Sequence, residues 1–234
     1  EHYKYVFPEL VKRNLSGAFF VPSSPIKENK MLGINSIHHI LASVNDVNIL
    51  VKDLKNLCIK FALSKKEISE YYKKYAIPNR FDNAETKFFK NMLQYGLPEQ
   101  LRSEMISILF QKFLGVSETE FSSNFYLSLD EVKKLISGGM YVGSHGANHY
   151  HYDQINLQKQ KGDILSSLEF LEEVGAPTSN WIMCYPHGNY NDSTLSLLKE
   201  LGATIGVTTE PRKANLETDH PFKLPRFDTN DFHQ

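Results

Sequence analysis

The sequence predicts an α/β protein with a parallel sheet or a barrel. Five short apolar runs bounded by turn residues indicate buried strands, and segments with helical periodicity separate most of them. Polar residues follow several of these runs, at the strand ends where α/β proteins place their chemistry. The five runs are residues 17–21, 140–142, 180–185, 204–208 and 222–225.

The chain opens with a predicted helix over residues 3–13, whose apolar residues recur at helical spacing. Pro8 lies in the first turn, where its missing N–H does no harm, and Asn14 is expected to end the helix. Because a helix precedes the first predicted strand, the sequence is expected to open partway into a βαβ repeat.

Residues 35–127 have a helical pattern with little strand signal. Capping boxes at 64–67 and 128–131 mark two helix starts, the second leading into the strand at 140. A crossover between parallel strands usually needs only about a dozen residues. We therefore predict an α/β core at 1–34 and 128–234, interrupted by a helical insertion at 35–127.

A further helix is predicted over residues 157–174, with Gly175 as its end signal. Its apolar residues recur at three- and four-residue spacing, which predicts one buried face. The residues expected to face inward are Ile164, Leu165, Leu168 and Leu171.

Charge and composition exclude several classes of function. The chain has 26 basic and 27 acidic residues, so there is no basic excess for nucleic acid. No apolar run has the length of a membrane span. Cys58 and Cys184 lie far apart without a metal or redox spacing, which indicates a reducing compartment and a cytoplasmic protein. Apolar helical surface favours a homodimer.

The segment 140–153 carries the densest group of candidate functional side chains. His145 and His149 follow the second predicted strand, with His151 and Asp153 close behind. Two imidazoles four residues apart can bind one cation if the loop turns helically. The alternative is that they are surface loop histidines, since the chain has nine histidines. No Glu follows His145, which excludes the His-Glu-x-x-His helix of metalloproteases.

Three other polar features lie at the carboxyl ends of predicted strands. Each is ordinary alone, but in a barrel these ends converge on one face, where active sites lie. The features are the turn 185–190, the pair Thr208-Thr209 and the pair Pro225-Arg226.

Together these motifs resemble, in their order along the chain, the motifs of polysaccharide deacetylases. These are metal-dependent carbohydrate esterases of family four, which remove N-acetyl groups from chitin-like, peptidoglycan or lipopolysaccharide-precursor sugars. The matching motifs are Gly143-Ser-His-Gly-Ala-Asn-His149, Cys184-Tyr-Pro-His-Gly-Asn-Tyr-Asn191, Leu198-Lys-Glu-Leu-Gly-Ala203 with Val207-Thr-Thr209, and Leu224-Pro-Arg226. The opening Phe7-Pro-Glu-Leu10 and Ser16-Gly-Ala-Phe-Phe-Val21 also resemble the family's first helix and second strand.

The resemblance implies a distorted (β/α) barrel with fewer than eight strands and a divalent metal, often zinc. His145 and His149 would bind that metal together with an aspartate, and a second aspartate would be the general base. The backbone N–H of His187 would stabilise the oxyanion, and Arg226 would orient the aspartate base.

The resemblance also implies an N-acetylated sugar as the substrate. The turn formed by Tyr185, Pro186 and Tyr190 is aromatic with polar edges, which suits stacking on the face of a sugar ring. These three residues are the predicted substrate contacts.

The sequence departs from the family pattern in three places. The Asp-Asp-Gly motif that supplies both aspartates, at the end of the family's first strand, is absent from the sequence. The late Leu-x-His motif, which carries the general acid, is not recognisable, and His233 is a weak stand-in. Gly146 stands where relatives usually carry Ser or Thr.

Three explanations follow from these departures. The first explanation is that the chain is part of a longer, active deacetylase whose first strand precedes Glu1. It is favoured because a missing first strand would leave a sheet edge exposed. Alternatively, it is a degenerate relative that binds a sugar or nucleotide sugar without hydrolysis. The third explanation is an unrelated α/β protein.

Overall fold

The structure is a computed structural model that describes residues 1–232. It divides into two compact units. The first consists of Glu1–Asn29 and the chain from Tyr126 onward, and the second is Lys30–Phe125. The second unit covers most of the predicted helical insertion, whose status as a separate domain stays a prediction. His233 lies outside the described residues.

A parallel sheet in the order β1-β2-β3-β4 forms the centre of the first unit. Each strand overlaps a run predicted from the sequence, so four of the five predicted strands are confirmed. β1 and β2 pair in register from Ala18–Tyr141 to Val21–Ser144, which brings their carboxyl ends level. The strands are β1 Ala18–Val21, β2 Tyr141–Ser144, β3 Trp181–Cys184 and β4 Ala203–Val207.

The fifth predicted strand, at 222–225, is wrong. Pro221–Lys223 forms a 3-10 turn, and Leu224 makes a single parallel bridge to Val207. Prolines at 221 and 225 lack the N–H that a strand ladder needs, so the segment cannot continue the sheet. Within residues 1–232, β1 and β4 are the sheet edges, and closure into a barrel stays a prediction.

Helices connect the strands and make up the second unit. The predicted helix 3–13 divides into a π-helical turn, His2–Val6, and a short α-helix that begins at Phe7. The α-helices of the described residues are α1 Phe7–Lys12, α2 Ser23–Glu28, α3 Gly33–Ala42, α4 Val47–Lys60, α5 Lys65–Tyr75, α6 Ala84–Asn91, α7 Glu99–Leu114, α8 Glu118–Phe125, α9 Leu129–Ser137, α10 Leu157–Val174 and α11 Asp192–Glu200.

Local signals in the sequence set several of these helix boundaries. Both predicted capping boxes are present: Ser64 with Glu67 at the start of α5, and Ser128 with Glu131 at the start of α9. Helix α10 has the predicted bounds and ends at Gly175, whose φ of 79° lies in the left-handed region that glycine adopts readily.

Helix α10 contributes to both hydrophobic clusters of the first unit. Ile164 and Leu171 are buried as predicted and Leu168 is half-buried, but Leu165 is 39% exposed, so its predicted inward position is wrong. The buried face of α10 is rotated away from Leu165 and includes polar residues in place of a purely apolar stripe. Its buried polar residues are Gln160, Asp163 and Ser167.

The second unit is built from α3 to α8 around an aromatic and aliphatic core. Its fully buried side chains include Ile37, Leu50, Leu54, Phe88, Met105 and Phe110. Among residues 1–232, no helix combines the length and the apolar character needed to cross a membrane.

Candidate functional site

The loop after β2 begins with His145, which directly follows the last residue of the strand. Its ring Nδ1 lies 2.6 Å from the carbonyl oxygen of Cys184, the last residue of β3. Because a carbonyl oxygen only accepts, Nδ1 carries the proton and Nε2 is the nitrogen with a lone pair. Burial lowers the pKa of His145; the hydrogen bond to Cys184 opposes this shift, and the charge of Arg226 adds to it.

His149 lies in the same loop, with a φ of 57°. Its Nδ1 atom is buried and has no hydrogen-bond partner among residues 1–232. Burial lowers the pKa of His149 to about 2, and repulsion from the His145, His187 and His151 imidazoles adds to the shift. The ring is therefore neutral near pH 7 and can donate a nitrogen lone pair.

Two more imidazoles extend this pair into a cluster of four. The ring centroids of His145 and His149 are 4.7 Å apart, and those of His149 and His187 are 4.5 Å apart. His151 stacks on His187 with centroids 3.7 Å apart and planes inclined by 5°. The loops after β2 and β3 thus meet at these four histidines, as expected for the carboxyl ends of neighbouring parallel strands.

Two of the three predicted substrate contacts in the loop after β3 are buried, so their predicted role is corrected. Tyr185 is fully buried, and its hydroxyl donates to the carbonyl oxygen of Phe222 at 2.7 Å, so the ring belongs to the core. Pro186 is buried as well. Tyr190 is half-buried with its ring 4.8 Å from that of Tyr185, and it alone of the three predicted contacts remains accessible.

His187 and Arg226 are the two predicted catalytic residues; His187 lies in the loop after β3, and Arg226 lies beside the end of β4. His187 is in a 3-10 turn, Pro186–Gly188, with φ 57° and ψ 6°. Arg226 is exposed, and its Nε donates to the carbonyl oxygen of Thr208 at 2.8 Å. Repulsion from the Arg226 charge contributes to the lowered pKa of His145.

A buried carboxylate holds the loop between His145 and His149. Asp163 of α10 accepts hydrogen bonds from the backbone N–H groups of Ala147 and Asn148, at 3.0 and 2.9 Å. Opposite, the backbone N–H groups of Ser23 and Ser24 donate to the carbonyls of Gly146 and Ala147 at 3.3 and 3.0 Å. The loop is therefore held by hydrogen bonds with the first turn of α2 and with Asp163 of α10.

Asp163 is not among the residues predicted from the sequence, although the spacing of polar residues along α10 could have indicated it. Gln160, Asp163 and Ser167 are spaced by three and four residues on a helix predicted to be buried. Polar residues at the spacing of a core face indicate buried hydrogen bonds with loops nearby.

Two imidazoles of the cluster fit a divalent metal such as zinc. His145 offers Nε2 while Cys184 holds its other nitrogen, the arrangement typical of metal-binding histidines, and His149 has a buried Nδ1 with no other partner. Residues 1–232 contain no group of three or more His, Cys, Asp or Glu side chains arranged to hold a metal. The described residues therefore offer two candidate metal ligands, and a complete site would need at least one more.

Comparison with known proteins identifies the segment that holds this site. The family model described as "Polysaccharide deacetylase" matches residues 109–206. YxkH of Bacillus subtilis (strain 168), which is named for the same family, is 28% identical over 90 residues, or 38% of this chain and 32% of that protein.

Solved structures of deacetylases are similar to parts or most of the chain. Deacetylase PplD of Streptococcus pyogenes, in complex with acetate, is 28% identical over 46% of this chain and 47% of that one, with a TM-score of 0.42. The BpsB deacetylase domain of Bordetella bronchiseptica is 14% identical over 97% of this chain and 66% of that one, with a TM-score of 0.49.

The chain spans about a third of YxkH and about half of PplD. The family match includes both metal-ligand candidates and the β3 loop, which are the motifs that carried the resemblance in the sequence. Residues 109–206 are therefore similar to the polysaccharide deacetylase family.

Proposed function

We propose that this protein is a metal-dependent carbohydrate N-deacetylase, which hydrolyses the N-acetyl group of an amino sugar. The observation that carries the proposal is the pairing of His145 and His149 at the end of β2, with His145 oriented by Cys184. The family match over the same residues supports it.

In this proposal His145 and His149 hold a divalent metal, most simply zinc, together with a carboxylate, because two imidazoles and a carboxylate suit that ion. When bound, such a metal polarises the acetamide carbonyl and lowers the pKa of its water. The protein orients the two imidazoles and keeps them neutral. The carbonyl of Cys184 fixes the tautomer of His145, while burial and then the neighbouring imidazoles lower the pKa of His149.

We assign the remaining roles to the adjacent strand ends. The backbone N–H of His187 donates to the developing oxyanion, because the turn that carries it lies beside the paired histidines. Arg226 orients the carboxylate that acts as general base, and its Nε bond to Thr208 limits the positions the guanidinium can take. Tyr190 contacts the sugar ring through its accessible face.

Acetate release from N-acetylated chitooligosaccharides, measured after addition of Zn²⁺ or Co²⁺ to the metal-free protein, tests the proposal. We expect acetate only with metal, and none from His145→Ala or His149→Ala. Arg13→Ala is a matched control, because Arg13 is exposed at the C-terminal cap of α1 and its side chain pairs with Glu9 in the contacts described. Sugar binding without acetate release in the presence of bound metal would contradict hydrolysis and support a binding protein.

A further inference from the structure

Three buried polar residues of α10 form a row that faces the loop after β2. Gln160, Asp163 and Ser167 are 1%, 4% and 0% exposed, and their spacing of three and four residues puts them on one face of the helix. Buried polar groups are costly unless they are hydrogen-bonded, so their partners show what the row does.

The Asp163 carboxylate accepts four hydrogen bonds from the segment 147–152. Its Oδ1 accepts from the backbone N–H and the side-chain amide of Asn148, both at 2.9 Å. Its Oδ2 accepts from the N–H of Ala147 at 3.0 Å and from the hydroxyl of Tyr152 at 2.7 Å. One carboxylate therefore binds two consecutive N–H groups that lie between His145 and His149.

The residue after His145 is matched to this carboxylate. Gly146 has a φ of 68°, and a Cβ atom there would lie 2.5 Å from both Asp163 Oδ2 and the Tyr152 hydroxyl. Real Cβ atoms do not approach other atoms this closely. The Asp163 carboxylate and the Tyr152 hydroxyl thus occupy the space that a side chain at position 146 would need, so this packing requires glycine there.

Neighbours in the row hold the rest of the loop but not the two N–H groups. Ser167 Oγ lies 2.8 Å from Ser144 Oγ, which accepts from Gly146 N–H. Gln160 donates to the carbonyls of Tyr152 and Ile155 at 2.8 and 3.0 Å.

We propose that Asp163 is a positioning residue that holds the His145–His149 loop in its metal-binding conformation by accepting the N–H groups of Ala147 and Asn148. This inference rests on the proposed metal-dependent function. Because residues outside the ligand set that orient metal ligands typically change metal affinity 10–100-fold when removed, a comparable effect is expected here.

Co²⁺ titration of the metal-free protein, read from the visible absorption of the bound ion, tests the inference without relying on activity. We expect Asp163→Ala to weaken Co²⁺ affinity roughly 10–100-fold and to change the absorption band, because the two imidazoles no longer share one fixed geometry. Asp163→Asn, which keeps one acceptor oxygen, is expected to give an intermediate loss. Tyr152→Phe removes one donor to Asp163 and keeps the carboxylate. It is expected to weaken Co²⁺ affinity by a smaller factor than Asp163→Ala. This variant tests the inference if Asp163→Ala does not fold.

Gln160→Ala is the matched control, since Gln160 is equally buried on the same helix but does not bond the two loop N–H groups. It is expected to lower the thermal midpoint while leaving Co²⁺ affinity within about twofold of the unsubstituted chain. Folded Asp163→Ala protein with unchanged Co²⁺ affinity, or an equal loss from Gln160→Ala, would overturn the positioning role. Failure of the unsubstituted chain to bind Co²⁺ would instead overturn the proposed function, and the inference with it.

Discussion

The Nδ1 atom of His145 lies 2.6 Å from the carbonyl oxygen of Cys184, so the last residue of β3 orients the first residue after β2. The bond joins residues 39 positions apart in the chain. It leaves Nε2 of His145 as the lone-pair nitrogen beside His149, which makes the strand ends, and not the loop alone, responsible for the geometry of the pair.

Replacing either paired histidine should separate metal binding from folding. His145→Ala and His149→Ala are expected to lose Co²⁺ and Zn²⁺ binding, because one remaining imidazole cannot hold the ion in this incomplete ligand set. Both variants should stay folded, since these loop side chains belong to neither hydrophobic cluster. Isothermal titration with each metal and circular dichroism would check this. Full metal content in both variants would contradict the ligand assignment.

Gly146→Ala should destabilise the protein by about 1–3 kcal/mol. The backbone at 146 is left-handed, which strains an alanine, and the new Cβ would meet Asp163 and Tyr152 at 2.5 Å. Gly162→Ala is the matched control: it lies in α10, and a Cβ there meets open space. That substitution should raise the free energy of unfolding by up to about 1 kcal/mol. Urea denaturation of both variants measures the difference, and equal effects would contradict the close packing at Gly146.

Stability of the metal-free protein should depend on pH through His149. Above pH 6.5 its imidazole is neutral in both folded and unfolded chains. As the pH falls from 6.5 toward 2, only the unfolded chain takes up this proton, because burial lowers the pKa of His149 to about 2 in the folded state. The free energy of unfolding therefore falls, by up to about 1.4 kcal/mol per pH unit.

Urea denaturation at pH 7.5, 6.5, 5.5 and 4.5 would measure this slope, with His149→Gln as the comparison. The variant lacks the titrating ring, so its stability should decline less steeply below pH 6.5. Equal slopes for the two proteins would show that His149 is not buried in a neutral form.

Arg226→Ala is expected to lower turnover by roughly 10²-fold while Co²⁺ affinity changes little, because its charge acts on the reacting groups and it is not itself a ligand. Acetate release and Co²⁺ titration, performed on the same samples, distinguish the two effects. Arg13→Ala, on exposed α1, controls for the loss of one positive charge. A parallel loss of metal affinity and turnover would assign Arg226 to the metal site instead.

Tyr190→Ala should raise KM for the sugar substrate, whereas Tyr185→Phe should lower stability without changing KM. The hydroxyl of Tyr185 donates to the Phe222 carbonyl inside the core, so its removal leaves a buried acceptor unsatisfied and costs about 1–3 kcal/mol. Steady-state kinetics and thermal denaturation of both variants separate the roles. A raised KM for Tyr185→Phe would restore Tyr185 as a substrate contact.

Local sequence patterns were sufficient for most elements of the first unit and for the start of α5 in the second unit. The bounds of α10, the capping boxes of α5 and α9, and four of the five strands follow from spacing, caps and glycine, which act over a few residues. The pattern failed at 222–225, where prolines make strand-like composition incompatible with a hydrogen-bonded ladder.

The sequence by itself determined the α/β class, the resemblance to polysaccharide deacetylases and the two histidines at a strand end, because these depend on short-range periodicity and motif order. Only the tertiary structure decided that Tyr185 is a core residue, that His151 stacks on His187, and that Asp163 holds the loop between the paired histidines. Each of these depends on side-chain direction and on contacts between distant residues, which local spacing does not specify.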